Sequence, residues 1–257
     1  MRVAIQTISW GARVVDVGRM LREIKEAGYA GVEFYQHPHE LGTADELYQT
    51  LHGLGLRCIG IAGGSLQEKI DFVQRYTAAE RVAFVLSFAA KSGGLKYQPS
   101  PPRDNQPYIY LDTWEGQSAD NALRIGMTLA LHPHMFKQIQ TTADVDHYLD
   151  KHPGLRFLPD TAHLTVAGED VKTVIDNHYG RIEAIHLKDW TAEYGRAYQF
   201  YGRGFVELGQ GDVLLEDVIK YLKQRNFMKW IVVEQDATRN PLRSAATSRQ
   251  WLRDRGI

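Results

Sequence analysis

Four short apolar runs in this chain each end on a side chain that can bind a metal: Thr128-Leu-Ala-Leu-His132, Arg156-Phe-Leu-Pro-Asp160, Ile182-Glu-Ala-Ile-His186 and Trp230-Ile-Val-Val-Glu234. Each is followed by a stretch of helical periodicity, which is how the strands of a buried parallel sheet read. In a parallel α/β architecture the carboxyl ends of the strands share one face, and ligands bind there. The pattern therefore constrains the fold and also sends two histidines, an aspartate and a glutamate to one place. Imidazole with carboxylate is a divalent-metal ligand set.

The alternation runs along the whole chain. Strands are predicted at 3–8, 31–35, 56–61, 82–88, 127–132, 155–160, 182–188 and 230–234. Helices are predicted at 14–27, 44–54, 65–79, 143–151, 170–177, 214–224 and 241–253. Gly28 closes the first helix, Ser65 is an N-cap, and Asn240-Pro241 is an N-cap followed by proline at the first helical position. Eight strand-plus-helix units close an α/β barrel, (β/α)8, with right-handed crossovers. At 257 residues one such barrel uses residues 1–257 as a single domain. Two segments break the rhythm. Residues 91–107 contain Pro99-Ser-Pro-Pro102, and 189–211 carry five glycines among aromatics and arginines. Both follow strands and hang over the site face, as lids or substrate-binding loops do; for 189–211 the alternative is a disordered insertion.

Composition excludes several classes. With 30 basic and 31 acidic residues the net charge is −1, without the basic excess that a nucleic-acid-binding surface carries. No apolar stretch approaches the roughly 20 residues of a membrane span, and Met1-Arg-Val-Ala-Ile-Gln6 reads as a strand, not a signal peptide. The one cysteine, Cys58, lies in an apolar run and reads as a core residue, so a reducing cytoplasm is the natural setting.

Strand alternation tests the metal site. Side chains at i and i+2 share a side of a strand. His132 therefore lies over Ala130, Asp160 over Leu158, His186 over Ala184 and Glu234 over Val232. Small residues beneath would let the ligands point into the barrel mouth. Each residue has a plainer reading: an N-cap for Asp160, a satisfied core histidine for His186, a surface carboxylate for Glu234. Around them, His163 follows the turn after Asp160, and Lys188 faces the same side as His186. There Lys188 can hold a substrate oxygen or form an ordinary ion pair. Glu33, ending strand 31–35, can bind substrate or orient a ligand. Arg196 and Arg203 can grip a phosphate or carboxylate, or be solvated.

The chain resembles the sugar phosphate isomerase/epimerase family, the xylose isomerase-like TIM barrels, which include inosose dehydratases, hydroxypyruvate isomerases and ketose 3-epimerases. The resemblance rests on Gly31-Val-Glu-Phe, Leu131-His-Pro-His134, Leu158-Pro-Asp-Thr-Ala-His-Leu164, His186-Leu-Lys-Asp-Trp190, Glu207-Leu-Gly-Gln-Gly-Asp212 and Val232-Val-Glu-Gln-Asp236. It implies a TIM barrel holding one manganese, cobalt or magnesium ion, with Asp160, His186 and Glu234 matching three usual ligands. His134 and His163 would line the substrate pocket. Many relatives place a glutamate where this chain has His132. Others with a His-x-His strand end carry an acidic or amide residue just before the next threonine, here Gln140 before Thr141. The fourth ligand is thus His132 or Gln140.

The implied function is a metal-dependent isomerase or epimerase acting on a small keto-sugar or keto-cyclitol. The metal polarises a carbonyl, and Glu234 or a histidine, His132 among them, moves the neighbouring proton. Loss of a β-hydroxyl instead would make the enzyme a dehydratase of the inosose dehydratase type, whose members look most similar. Without the strand-5 carboxylate, an inactive carbohydrate-binding barrel is a further alternative. A distant likeness to endonuclease IV suggests DNA repair, but that chemistry needs a multi-metal cluster and a basic face. Barrels of this type often pair, so a homo-oligomer is compatible with the chain.

Overall fold

Eight parallel strands follow one another around a barrel in the computed structural model, which describes residues 1–11, 13–76, 85–88, 128–135, 137, 139–193, 204–236 and 238–257. They are β1 (Arg2–Gln6), β2 (Gly31–Phe34), β3 (Arg57–Ile61), β4 (Val85–Phe88), β5 (Thr128–Leu131), β6 (Arg156–Phe157), β7 (Ala184–Leu187) and β10 (Trp230–Val233). Their order is β6-β5-β4-β3-β2-β1-β10-β7. Parallel bridges from Phe157 to Ile182 and from Asp160 to His186 join the two outermost strands and close the ring. The fold is the TIM barrel that the strand count implies.

The helices among the described residues are α1 (Val17–Ala27), α2 (Ala44–Gly53), α3 (Leu66–Arg75), α4 (Thr142–Lys151), α5 (Thr161–Val166), α6 (Val171–Asn177), α7 (Leu215–Gln224) and α8 (Pro241–Asp254). Several starts follow from side-chain caps: Asp16 accepts from Arg19 N, and Thr43 and Ser65 each form reciprocal capping boxes with Glu46 and Glu68. No described helix is long and apolar enough to cross a membrane.

The structure departs from expectation at three places. The sixth strand shrinks to Arg156–Phe157, because Pro159 has no N–H to donate to a ladder. Helix α5 begins at once after Asp160, where only a turn was expected, since the Asp160 side chain caps it. Within 189–211, β8 (Asp189–Trp190) and β9 (Phe205–Val206) pair antiparallel as a ribbon, so this part is neither irregular nor a disordered insertion. The expected loop 91–107, residues 82–84, and Arg196 and Arg203 lie outside the described residues.

Two apolar layers hold the barrel. The outer one packs helices on the strand backs. The inner one is Ala4, Ile59, Ala130, Leu158, Ala184, Trp230 and Val232. Trp230 sits at the start of β10 and fills the end of the barrel away from the mouth. A Cβ on Gly31 would come within 2.9 Å of its ring, so glycine there makes room for the indole. Cys58 is buried, and burial pushes its thiol well above its ordinary range, as fits a core residue.

Candidate metal centre at the barrel mouth

The inner layer is the floor of a polar site. Ala130, Leu158, Ala184 and Val232, the residues one step below the four ligand candidates, all belong to that layer. Continuing each strand by two residues brings His132, Asp160, His186 and Glu234 to the mouth, all buried. The same step from Ala4 and Gly31 brings Gln6 and Glu33 there, and a further step from His186 brings Lys188.

His186 is the hub. Its Nε2 lies 3.0 Å from Glu33 Oε2, across 153 positions of sequence. Its Nδ1 lies 2.6 Å from Glu234 Oε2 and 3.9 Å from Asp160 Oδ2. Despite that closeness, Nδ1 has no aligned hydrogen-bond partner; the contact runs off the direction of a good bond. Asp160 uses Oδ1 to accept His163 N–H at 2.8 Å as the α5 cap, which leaves Oδ2 buried with no partner either. The N-cap reading and the ligand reading of Asp160 thus describe its two oxygens. An orphaned buried polar atom costs roughly 1–3 kcal/mol. A cation between Asp160 Oδ2, His186 Nδ1 and Glu234 would satisfy them, and donor atoms of these three residues all lie within 4.8 Å of one another.

A second trio, His132, Asp160 and His163, meets the same spacing and shares Asp160. His132 Nδ1 is 3.2 Å from the Leu158 carbonyl oxygen, which makes Nδ1 the donor and leaves Nε2 as a lone pair. Its ring lies 4.7 Å from that of His186. Gln140 stands at the entrance to α4, half-buried, with its backbone N–H donating to Asp144 Oδ2 at 3.3 Å. His134 and His163 lie with ring centroids 3.8 Å apart, tilted by 33°, beside His132.

The electrostatics favour a cation. Lys188 is fully buried, 2.8 Å from Glu234 Oε1 and 2.7 Å from Asp236 Oδ2, with its ammonium over the Phe205 ring. It is an ion pair in the structure, but one that faces the mouth. Four carboxylates (Glu33, Asp160, Glu234, Asp236) against the Lys188 ammonium and a protonated His186 leave a formal charge of −2; a dication in place of the His186 proton would bring it to −1. Burial pushes the Asp160 carboxyl up to about 6. Burial works against both charges of the Lys188–Glu234 pair. Asp236 and Glu234 outweigh it for Lys188, holding the ammonium above its ordinary value, while Lys188 and His186 outweigh it for Glu234 and hold that carboxyl well below. Burial keeps His132 and His163 well below the usual imidazole range and brings His134 to about 4, so all three are neutral at pH 7. His186 alone is held above it, because Glu33 and Glu234 overcome its burial. A proton there does in part what a metal would do.

Sequence reasoning missed several members. Gln6 donates through Nε2 to Glu33 Oε1 at 3.0 Å and Glu234 Oε2 at 3.3 Å, and so orients both. The signal was present: Gln6 is in step with Ala4 at a strand end. Asp236, two residues past Glu234, lies in step with it and holds the Lys188 ammonium at 2.7 Å. Asp189 explains the Glu207-Leu-Gly-Gln-Gly-Asp212 motif. Its carboxylate accepts from the backbone N–H of Gly209 (2.8 Å), Gly211 (3.0 Å), Trp190 (2.9 Å) and Val213 (3.2 Å). A Cβ on Gly211 would collide with it. The motif is thus a loop wound on a buried carboxylate beside the mouth.

The chain matches the xylose isomerase-like TIM barrel family over residues 21–255. Among characterised proteins it is 28% identical over 175 residues to an inosose dehydratase of Geobacillus thermodenitrificans, covering 60% of this chain and 59% of that one. The chain spans between about half and three fifths of the length of the curated relatives it matches. Its fold is that of an L-ribulose 3-epimerase (TM-score 0.74, 17% identity, 98% of this chain and 93% of that one). It is likewise that of the IOLI protein with a zinc atom (TM-score 0.69, 13% identity, 99% and 97%).

Proposed function

This chain belongs to the xylose isomerase-like TIM barrel family, and we propose that it is a divalent-metal-dependent enzyme removing a proton beside the carbonyl of a small keto-sugar or keto-cyclitol. The observation that carries this reading is the convergence on Glu234 of two buried donors without an aligned hydrogen bond, Asp160 Oδ2 and His186 Nδ1, in a pocket of net negative charge. Asp160, His186 and Glu234 would hold the ion, with His132 as the fourth ligand and Gln140 as its competitor. Manganese, cobalt or magnesium bound there would supply Lewis-acid polarisation of a substrate carbonyl.

The chain's own groups do the rest. Gln6 and Glu33 fix the orientation of Glu234 and His186. Lys188 donates to Glu234 Oε1; a substrate oxygen that takes over this ammonium leaves Oε1 free to accept the proton. Asp236 keeps Lys188 in place during the exchange. The paired His134 and His163 rings form a neutral wall against the sugar. Phe205, on the ribbon wound around Asp189, covers Lys188 and excludes water.

The outcome we favour is a dehydratase reaction: the proton taken up by Glu234 passes to the β-hydroxyl, which leaves as water as the C–O bond breaks and a C=C bond forms beside the carbonyl. Two-base epimerisation needs proton-transfer groups on opposite substrate faces, and β5 leads to neutral His132 rather than a carboxylate. The named sequence relatives are inosose dehydratases. An isomerase or epimerase is the second reading: Glu234 can return the proton it took to the neighbouring carbon, or the Nε2 lone pair of a His132 that is not a ligand can take the proton on the opposite face while protonated Glu234 supplies one on its own. In either case residues 1–257 act as one barrel.

Incubation with an inosose and with keto-sugars in D2O tests the reading. Deuterium should enter at the carbon beside the carbonyl, and Glu234→Gln should lose about 10²–10⁴-fold in rate while keeping some metal. Turnover with neither exchange nor a primary isotope effect at that carbon would overturn proton abstraction. A protein that binds metal and sugar but turns over none of these compounds would be a carbohydrate-binding barrel.

A further inference from the structure

We propose that His37, His39 and Glu68 form a second metal site, on the rim of the mouth, selective for an imidazole-preferring transition ion such as Zn2+ over Mg2+ or Mn2+. His37-Pro-His39 follows β2, and Glu68 lies in the first turn of α3, after β3. Both segments leave the carboxyl ends of strands, on the face that carries Glu33 and His186. Donor atoms of the three residues all lie within 4.8 Å of one another. His39 Nδ1 is 3.5 Å from Glu68 Oε1, and His37 Nδ1 is 4.0 Å from Glu68 Oε2. Around a tetrahedral ion with bonds of about 2.0–2.1 Å the donors stand roughly 3.3 Å apart, so small side-chain rotations complete the site.

The ligands are held in advance. Glu68 Oε2 accepts Ser65 N–H at 2.7 Å, which fixes the carboxylate. The Glu40 side chain accepts His37 N–H at 3.0 Å, and Pro38 between the two histidines is buried. Gly64, with φ +84°, lies so close that a Cβ would press on the Pro38 ring at 2.8 Å, so the turn before α3 packs directly on Pro38. An exposed histidine–carboxylate contact is worth only about 0–1 kcal/mol, so the three side chains are free to turn their donors onto an ion. A cavity of about 420 Å³ shares His39 and Glu68 and extends to Thr43, Asp71, Phe72 and Arg75. A coordination position left open by three protein ligands would face that space, where water or a small carboxylate fits. Two imidazoles with one carboxylate suit zinc, nickel or copper, whereas magnesium prefers oxygen donors.

The site is independent of the centre in the barrel, and equilibrium dialysis of the chelator-stripped full chain separates them. The wild type should bind one more equivalent of Zn2+ than of Mn2+. His37→Ala and His39→Ala should each weaken the extra zinc by at least tenfold, and His147→Ala, at another exposed histidine, should leave it. Asp160→Ala should remove the ion at the mouth and spare the one on the rim. Equal zinc stoichiometry and affinity in the wild type and the folded double variant His37→Ala/His39→Ala overturns the proposal, as does equal loss in His147→Ala. Because both histidines are more than half exposed, their removal should leave the far-ultraviolet circular dichroism and the melting temperature unchanged, which certifies the comparison.

Discussion

Replacing Lys188 by methionine probes the charge logic of the centre. Methionine keeps most of the volume and a favourable contact with Phe205, but removes the ammonium. Two ion pairs, at 2.8 Å to Glu234 and 2.7 Å to Asp236, are lost from a fully buried side chain. Breaking a buried pair costs about 3–5 kcal/mol, because the remaining charge stays uncompensated. At about 2–4 °C per kcal/mol for a chain of this size, the metal-free protein should melt roughly 6–20 °C lower. A divalent ion reverses part of this. At a hundredfold excess over its Kd it adds about 2.7 kcal/mol to any folded state that binds it, and it binds a pocket that has lost a competing cation more tightly, by an estimated tenfold or about 1.4 kcal/mol. Differential scanning fluorimetry with chelator and with Mn2+ measures both effects. Mn2+ should raise the melting temperature of Lys188→Met by more than that of the wild type. If the variant melts within about 2 °C of the wild type in chelator, the ion pairs do not carry the stability assigned to them. If Mn2+ raises both proteins equally, the ammonium and the ion do not share one electrostatic site.

Three further outcomes follow from the same geometry. His132→Ala should weaken metal binding at least tenfold and Gln140→Ala only slightly, as calorimetry with Mn2+ can show; the reverse result would assign the fourth ligand to Gln140 and leave His132 for proton transfer. In the metal-free protein, burial pushes Asp160 up to about 6 and Asp236 up to about 7 from 3.8, so the folded state holds more protons than the unfolded chain across that window. Stability from these groups falls as pH rises through it. His186, held above 6.5, has the same sign: its contribution is present below 6.5 and lost as pH rises through its folded value. Metal must displace these protons, so the stabilisation by Mn2+ should grow from pH 5 to pH 8, and a constant or shrinking increment would refute the assignment. Asp189→Asn replaces one of two accepting oxygens by an NH2 group and leaves two of the four backbone donors without an acceptor. Such bonds are worth about 1.5–3 kcal/mol each, so hydrogen exchange at Gly209 and Gly211 should accelerate at least tenfold while strand amides stay protected.

How far the sequence could be read depended on the range of the physics involved. Alternation along a strand is a covalent property of extended chain. It placed Ala130, Leu158, Ala184 and Val232 in one layer and His132, Asp160, His186 and Glu234 above them, before any distance was known. The same rule, applied to β1, would have found Gln6. Elements of two residues escaped it: β8 and β9 are too short for a periodicity, and α5 depends on one capping bond from Asp160. What only closure of the barrel decided is which atoms meet. Gln6 reaches Glu234 across 228 positions, and Lys188 finds Asp236 as well as Glu234. Closure also divides the two oxygens of Asp160 between a helix cap and the pocket. The protonation states belong to the tertiary structure too, because burial and neighbouring charges set them, and neither exists until the strands have come together. Sequence alone pointed to the barrel and the candidates at its mouth, since side-chain period and the alternation of strands with helices along the chain are local. The charge of the pocket, the tautomer of His132 and the meeting of His37 and His39 with Glu68 were left to the folded chain, because they depend on through-space contacts whose strength falls with distance and dielectric.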